Sequence, residues 1–212
     1  MSSMNLIYTN DGKTEKCPPS SDWSEIQMEN KRNTSLGNIL FLGVKDADRG
    51  SPTILLPKMI APFGESQDSY GRTTLDLSVT DERVRESFSS LTQKCRSIIC
   101  NSDIEDAHAI GECMLPILIE STTGEHAPRI RVRMNGGEMI KYTGCDECDT
   151  IPRGSEVRSI IEIKNIWVSR RDDGTYRCGV GLYLHSASVN TIVRKVEQKK
   201  DLTSFLFEDD EC

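Results

Sequence analysis

No run of about 18 apolar residues occurs in the 212-residue chain, so the sequence offers no helical membrane span. Histidine is scarce. His108, His126 and His185 are the only three, and none stands in a nucleophile, metal-hydrolase or general-base motif. There is no phosphate-cradling glycine loop, and the carboxylates, though many, are scattered. With no catalytic constellation legible, the expectation is a protein that is not an enzyme. Hydrophobic residues make up only 36% of the chain, low for a globular protein, which points to one modest core with extended polar segments. The first residues, Met1-Ser2-Ser3-Met4-Asn5, lack the basic-then-apolar pattern of a secretory signal. The eight cysteines therefore read as thiols or metal ligands in an intracellular, reducing compartment, not as a disulfide framework.

What is present is an uneven charge distribution. The formal net charge is −7, which taken alone argues against an anionic partner. Yet residues 129–200 hold 14 Lys and Arg against 9 Asp and Glu, while residues 201–212 hold 5 acidic residues and no basic one. A basic segment followed by an acidic end says more than the total.

The basic segment opens with Arg129-Ile130-Arg131-Val132-Arg133-Met134. Strict alternation is the pattern of a strand. Ile130, Val132 and Met134 share a buried face, and Arg129, Arg131 and Arg133 line the other, about 7 Å apart. A long hairpin follows. Val157 to Val168 is rich in β-branched residues, Asp172-Asp173-Gly174 is a turn suited to positive φ, and Tyr176 to Val189 returns. Lys141, Arg158 and Lys164 extend the basic face. Tyr142, Trp167, Tyr176 and Tyr183 lie in or near the same strands, although Ile166 and Val168 both compete with Trp167 for the core side. A basic groove with aromatic faces is how single-stranded nucleic acid is held. The plain alternative is a solvated face whose charges discourage edge pairing.

Upstream, residues 1–33 read as a polar N-terminal arm broken by Pro18-Pro19. Leu36–Val44 and Thr53–Met59 read as strands, the second with Pro57 near its end, and Arg72–Val79 as a third with one wet face. Thr80 is placed to cap a helix over about 81–100, in which Val84, Phe88, Leu91, Cys95, Ile98 and Ile99 recur at spacings of three and four. Residues 101–111 read as a polar, acidic loop with room for one helical turn, Cys113–Glu120 as a strand, and Glu138–Tyr142 as a short one. Residues 34–198 thus form a mainly β domain, an OB-fold-like Greek-key barrel with one inserted α-helix. A jelly roll or sandwich is the competing architecture. Residues 199–212 form an acidic, aromatic C-terminal tail.

In that tail Phe205, Leu206 and Phe207 precede Glu208, Asp209, Asp210 and Glu211, a combination that can enter an apolar pocket with a basic rim. Cys145-x-x-Cys148 is half a zinc site, which Cys95 with Cys100, or Cys113, could complete in space, or a redox pair. No cofactor is expected, with zinc on these two cysteines the one weak candidate.

Ile151-Pro152-Arg153-Gly154-Ser155-Glu156-Val157, the apolar strand ending at Trp167, and the return strand Gly179-Val180-Gly181-Leu182-Tyr183-Leu184 together carry a resemblance. This hairpin resembles the last hairpin of viral single-stranded-DNA-binding proteins, namely the replication proteins of short-tailed phages and similar proteins of nucleocytoplasmic large DNA viruses. The resemblance implies an OB-fold, an acidic C-terminal tail, and a sequence-nonspecific role in viral-type DNA replication, recombination or repair. It further implies host cytoplasm or nucleus as the setting, and a tail that contacts a DNA polymerase or another replication protein. The alternative is a β-sandwich structural or virion protein whose basic face packs on an acidic partner.

Overall fold

The computed structural model describes residues 26–33, 39–46, 51–144 and 148–191. In chain order the strands are β1 (Ile26–Asn33), β2 (Ile39–Asp46), β3 (Thr53–Leu55), β4 (Met59–Ala61), β5 (Glu65–Gln67), β6 (Thr73–Ser78), β7 (Arg129–Arg133), β8 (Met139–Thr143), β9 (Ser155–Arg170) and β10 (Tyr176–Asn190). Two helices, α1 (Glu82–Cys100) and α2 (Ala107–Glu112), lie between β6 and β7.

Five strands close on themselves. β4 pairs with β6, β6 with β7, β7 with β10, β10 with β9, and β9 with β4. Taken along the chain, the ring order is first, second, third, fifth, fourth. Every pairing is antiparallel except that between β7 and β10. This is the Greek-key connectivity of an OB-type barrel. It rests on period-two burial: Val157, Ser159, Ile161 and Ile163 of β9 face the core, as do Ile130 and Val132 of β7 and Leu75 and Leu77 of β6. The remaining strands extend the barrel. β3 pairs with β9 and β5 with β6, β8 flanks β10, and β2, followed by β1, adds to the far end of β9.

Helix α1 lies on the core through Val84, Phe88, Leu91, Cys95 and Ile99. Its N-cap is Asp81, whose carboxylate accepts from the Arg83 backbone N–H at 2.9 Å. Asp81, not Thr80, thus satisfies the first turn, since a carboxylate caps well and also meets the helix dipole.

Three further expectations change. Thr53–Met59 is two strands, because Pro57 cannot donate to a ladder, and the chain resumes as β4. Cys113–Glu120 is not a strand. It touches the sheet only through bridges at Met114 to Cys178 and Ile119 to Arg129. Pro116, which has no N–H to give, sits between those bridges. Ile26–Asn33, within the stretch read as an arm, is sheet. The tail residues 199–212 lie outside the described residues. Among the described residues no helix is long and apolar enough to cross a membrane.

Candidate nucleic-acid interface

The arginine row is built as its alternation demands. Ile130 and Val132 are buried, and Arg129, Arg131 and Arg133 leave the outer face of β7. Opposite them on β6 stand Ser78, Asp76 and Thr74. Asp76 changes the meaning of the row. Its carboxylate meets Arg129 Nε at 2.9 Å, and accepts from Arg131 Nε at 2.7 Å and Arg131 Nη2 at 2.9 Å. It lies under the two guanidinium groups and is itself buried. Donating to the Asp76 carboxylate raises the Arg131 pKa further above its ordinary value, so Arg131 is a fixed cation. The three arginines are therefore not equally open to an anion, as the bare alternation implied. Arg129 and Arg131 share an internal counter-charge.

Arg133 is different. Its guanidinium donates to the Tyr183 hydroxyl at 3.3 Å and lies 5.8 Å from the ring centre. Lys164 Nζ sits 5.1 Å from the same ring and pairs with Glu162 at 3.2 Å. Tyr183 is thus an aromatic ring with two cations close to it, each contact worth ~0.5–1 kcal/mol at an exposed site.

Trp167 lies on this outer face. The antiparallel register sets it against Gly179. A Cβ at Gly179 would stand 2.9–3.3 Å from three indole ring atoms, so the indole lies across the glycine backbone, and only glycine leaves it room.

Two grooves run along this face. One, of about 520 Å3, is lined by Trp167, Gly179, Arg131, Arg133, Arg177 and the segment Leu115–Glu120. The other, of about 530 Å3, is lined by Arg72, Arg133 and Tyr183 with the loop Met134–Gly136. Arg133 belongs to both, which makes them one track. The loop between β4 and β6 presents Phe63 beneath Arg129, 5.4 Å to the ring centre, and Tyr70 beneath Arg72, 4.7 Å. Both aromatics are exposed. In OB barrels the face of the second and third strands, with the loops joining strands one to two and four to five, carries oligonucleotides and oligosaccharides. The track lies along the outer face of β7, and the loop joining the first and second barrel strands reaches it through Gly71 and Arg72.

The other residues singled out from sequence fall elsewhere. Arg158 and Lys141 flank Ser188 in one cross-strand row. They share the outer surface but lie about 16 Å along β10 from Tyr183 by strand rise. Tyr142 pairs with buried Val189 and packs against the core, and burial raises its pKa. Tyr176 has the parity of Cys178, the side facing α2. Its hydroxyl donates to Asp106 at 2.7 Å, and that bond raises its pKa. Neither tyrosine shares the track, because each has the inward parity of its strand.

Residues missed from sequence are Arg177, Arg72, Tyr70 and Phe63. Arg177 was readable, since it shares parity with Gly179, Gly181 and Tyr183. The other three sit in a loop whose return to the barrel no periodicity announces.

Among the described residues no group of three His, Cys, Asp or Glu side chains could hold a metal ion. Cys148 is disulfide-bonded, not the free thiol or metal ligand expected, and Cys145 lies outside the described residues. Cys95 and Cys178 are buried, and burial pushes both thiols up to about 12, which keeps them protonated and inert.

No family model matches this sequence, and no curated protein matches it. Among solved structures it is similar to the single-stranded DNA-binding protein from bacteriophage Enc34, C-terminal truncation, at 11% identity and a TM-score of 0.43, covering 79% of this chain and 94% of that one. The likeness is distant, and the OB-type assignment rests on the strand order above.

Proposed function

We propose that this protein is a non-enzymatic, sequence-nonspecific single-stranded-DNA-binding protein. The observation that carries the reading is the track through Arg133, flanked by Tyr183 on one side and by Trp167 and Arg177 on the other. Cations spaced along a groove neutralise phosphates, and exposed rings offer stacking surfaces worth ~1–3 kcal/mol per base. Arg133 and Arg177 serve as the phosphate contacts, with Lys164 and Arg72, paired with Glu162 and Asp68, adding charge at the margins of the track. Arg129 and Arg131, tied to Asp76, stiffen the face. Arg158 and Lys141 form a second basic patch that a longer strand reaches.

We extend the proposal to a role in DNA replication, recombination or repair of the viral type, on the hairpin's resemblance. Residues 205–212 then serve as a contact for a DNA polymerase or other replication protein. The domain limits proposed are an arm before β1, the barrel domain to residue 198, and the tail from 199.

The test is a paired substitution, Arg133→Glu with Tyr183→Ala, in the full chain. A protein that stays folded by circular dichroism and binds a fluorescent single-stranded oligonucleotide at least tenfold more weakly supports the reading. Undiminished binding by that folded variant counts against it.

A further inference from the structure

β7 and β10 pair at a single register position, Arg133 to Tyr183. Towards Arg129 they diverge, and Met114–Ile119 bridges the gap as a strap. At one end the Leu115 N–H donates to the Cys178 carbonyl at 2.9 Å. At the other, Ile119 and Arg129 exchange backbone hydrogen bonds at 2.8 and 3.0 Å. Between strap and strands lies the groove of about 520 Å3, within the size range of small-molecule sites.

Its chemistry is divided. Leu115, Ile117, Val180 and Leu182 supply apolar walls, and Trp167 lies at one side with its inner face against Gly179. Arg131, Arg133 and Arg177 stand round the rim, with Glu120 on the strap. An apolar, indole-sided slot ringed by three cations matches a flat uncharged ring that carries an anion on either flank. A nucleotide within a single strand has that form. Glu120 can accept from the exocyclic amino group of cytosine or adenine.

Resting on the reading above, we infer that this slot takes one unstacked nucleobase of the bound strand, laid on Trp167, with the flanking phosphates on Arg133 and Arg177, the two rim cations not tied to Asp76. Binding then has one privileged position along an otherwise sequence-tolerant track. A base held in a duplex cannot enter without being unpaired, which sharpens the preference for single strands.

The test uses the full-length chain with Trp23→Phe, so that Trp167 is the only tryptophan, and oligodeoxycytidylate of fixed length. Quenching of Trp167 on saturation, together with about a tenfold loss of affinity when an abasic site stands at one position and a much smaller loss at the others, is the expected result. Gly179→Val, which displaces the indole, should abolish the positional effect; the abasic scan on the otherwise unaltered chain does not depend on that variant folding. Binding with no Trp167 quenching and an equal penalty at every abasic position would overturn the slot while leaving single-strand binding intact. Quenching by a peptide of residues 201–212 but not by the oligonucleotide would assign the slot to the chain's own tail and overturn it too. Failure to bind any single strand would remove the parent reading instead.

Discussion

Removing the Asp76 carboxylate would leave Arg129 and Arg131 side by side without the negative charge between them. Both guanidinium groups reach solvent in part, so water offsets some of the loss. We expect Asp76→Asn to destabilise the fold by about 1–3 kcal/mol, read as a lower urea midpoint at unchanged slope. Asp68 is a second local carboxylate with a readable consequence. The Arg72 side chain, donating at 2.7 Å, holds its pKa down to about 2, from 3.8. A carboxylate whose folded pKa is depressed contributes its stabilisation above the unfolded value and loses it as pH falls through the folded one. The turn presenting Tyr70 should therefore persist from neutral pH to about pH 4 and open towards pH 2. The Tyr70 and Arg72 amide resonances, which report the carboxylate they donate to, should titrate with a midpoint near 2. A midpoint near 3.8 would show that the pairing does not form. The thiols give a third residue-scale outcome. Peptide mapping after brief alkylation should find Cys113 labelled and Cys95 and Cys178 protected until the protein unfolds.

At the scale of the element, the long hairpin decides both fold and site, and it was the part most open to sequence reading. Its β-branched run fixed the strands, and Asp173-Gly174 fixed the turn, with Gly174 at φ +82°. Counting back from that turn sets Trp167 opposite Gly179, which answers the question of its face left open by Ile166 and Val168. Periodicity also located β6, α1 and β7 closely. What it did not locate depends on partners distant in the chain. Apolar Leu115–Ile119 has the composition of a strand, yet no neighbouring strand offers it a continuous ladder, and it becomes a strap. Which arginines are free was not readable either, because Asp76 is 55 positions from Arg131, and register across the barrel alone brings them together. Gly179→Ala tests the hairpin directly. The added methyl stands 2.9 Å from the indole, so we expect a cost of ~1–3 kcal/mol and a shift in tryptophan emission, where an unchanged spectrum would mean that the indole does not lie on that glycine.

Over the whole molecule, the formal charge of −7 and a cationic track coexist because the charges are segregated along the chain. A net-negative protein repels nucleic acid at long range, while a local groove attracts it within a Debye length, roughly 8–10 Å near physiological salt. Binding should therefore depend on salt through the few phosphates the track engages, with a slope of about −0.7 per phosphate for a single strand. The decisive measurement is the affinity of the full chain for a fluorescent single-stranded oligonucleotide and for its duplex, each across a series of salt concentrations, repeated with Arg133→Ala. We expect tighter binding of the single strand, weakening log-linearly with salt, and a slope shallower by about 0.7 once Arg133 is removed. Binding of neither form, or equal binding of both with a slope indifferent to Arg133, would contradict the assignment of this face to single-stranded DNA.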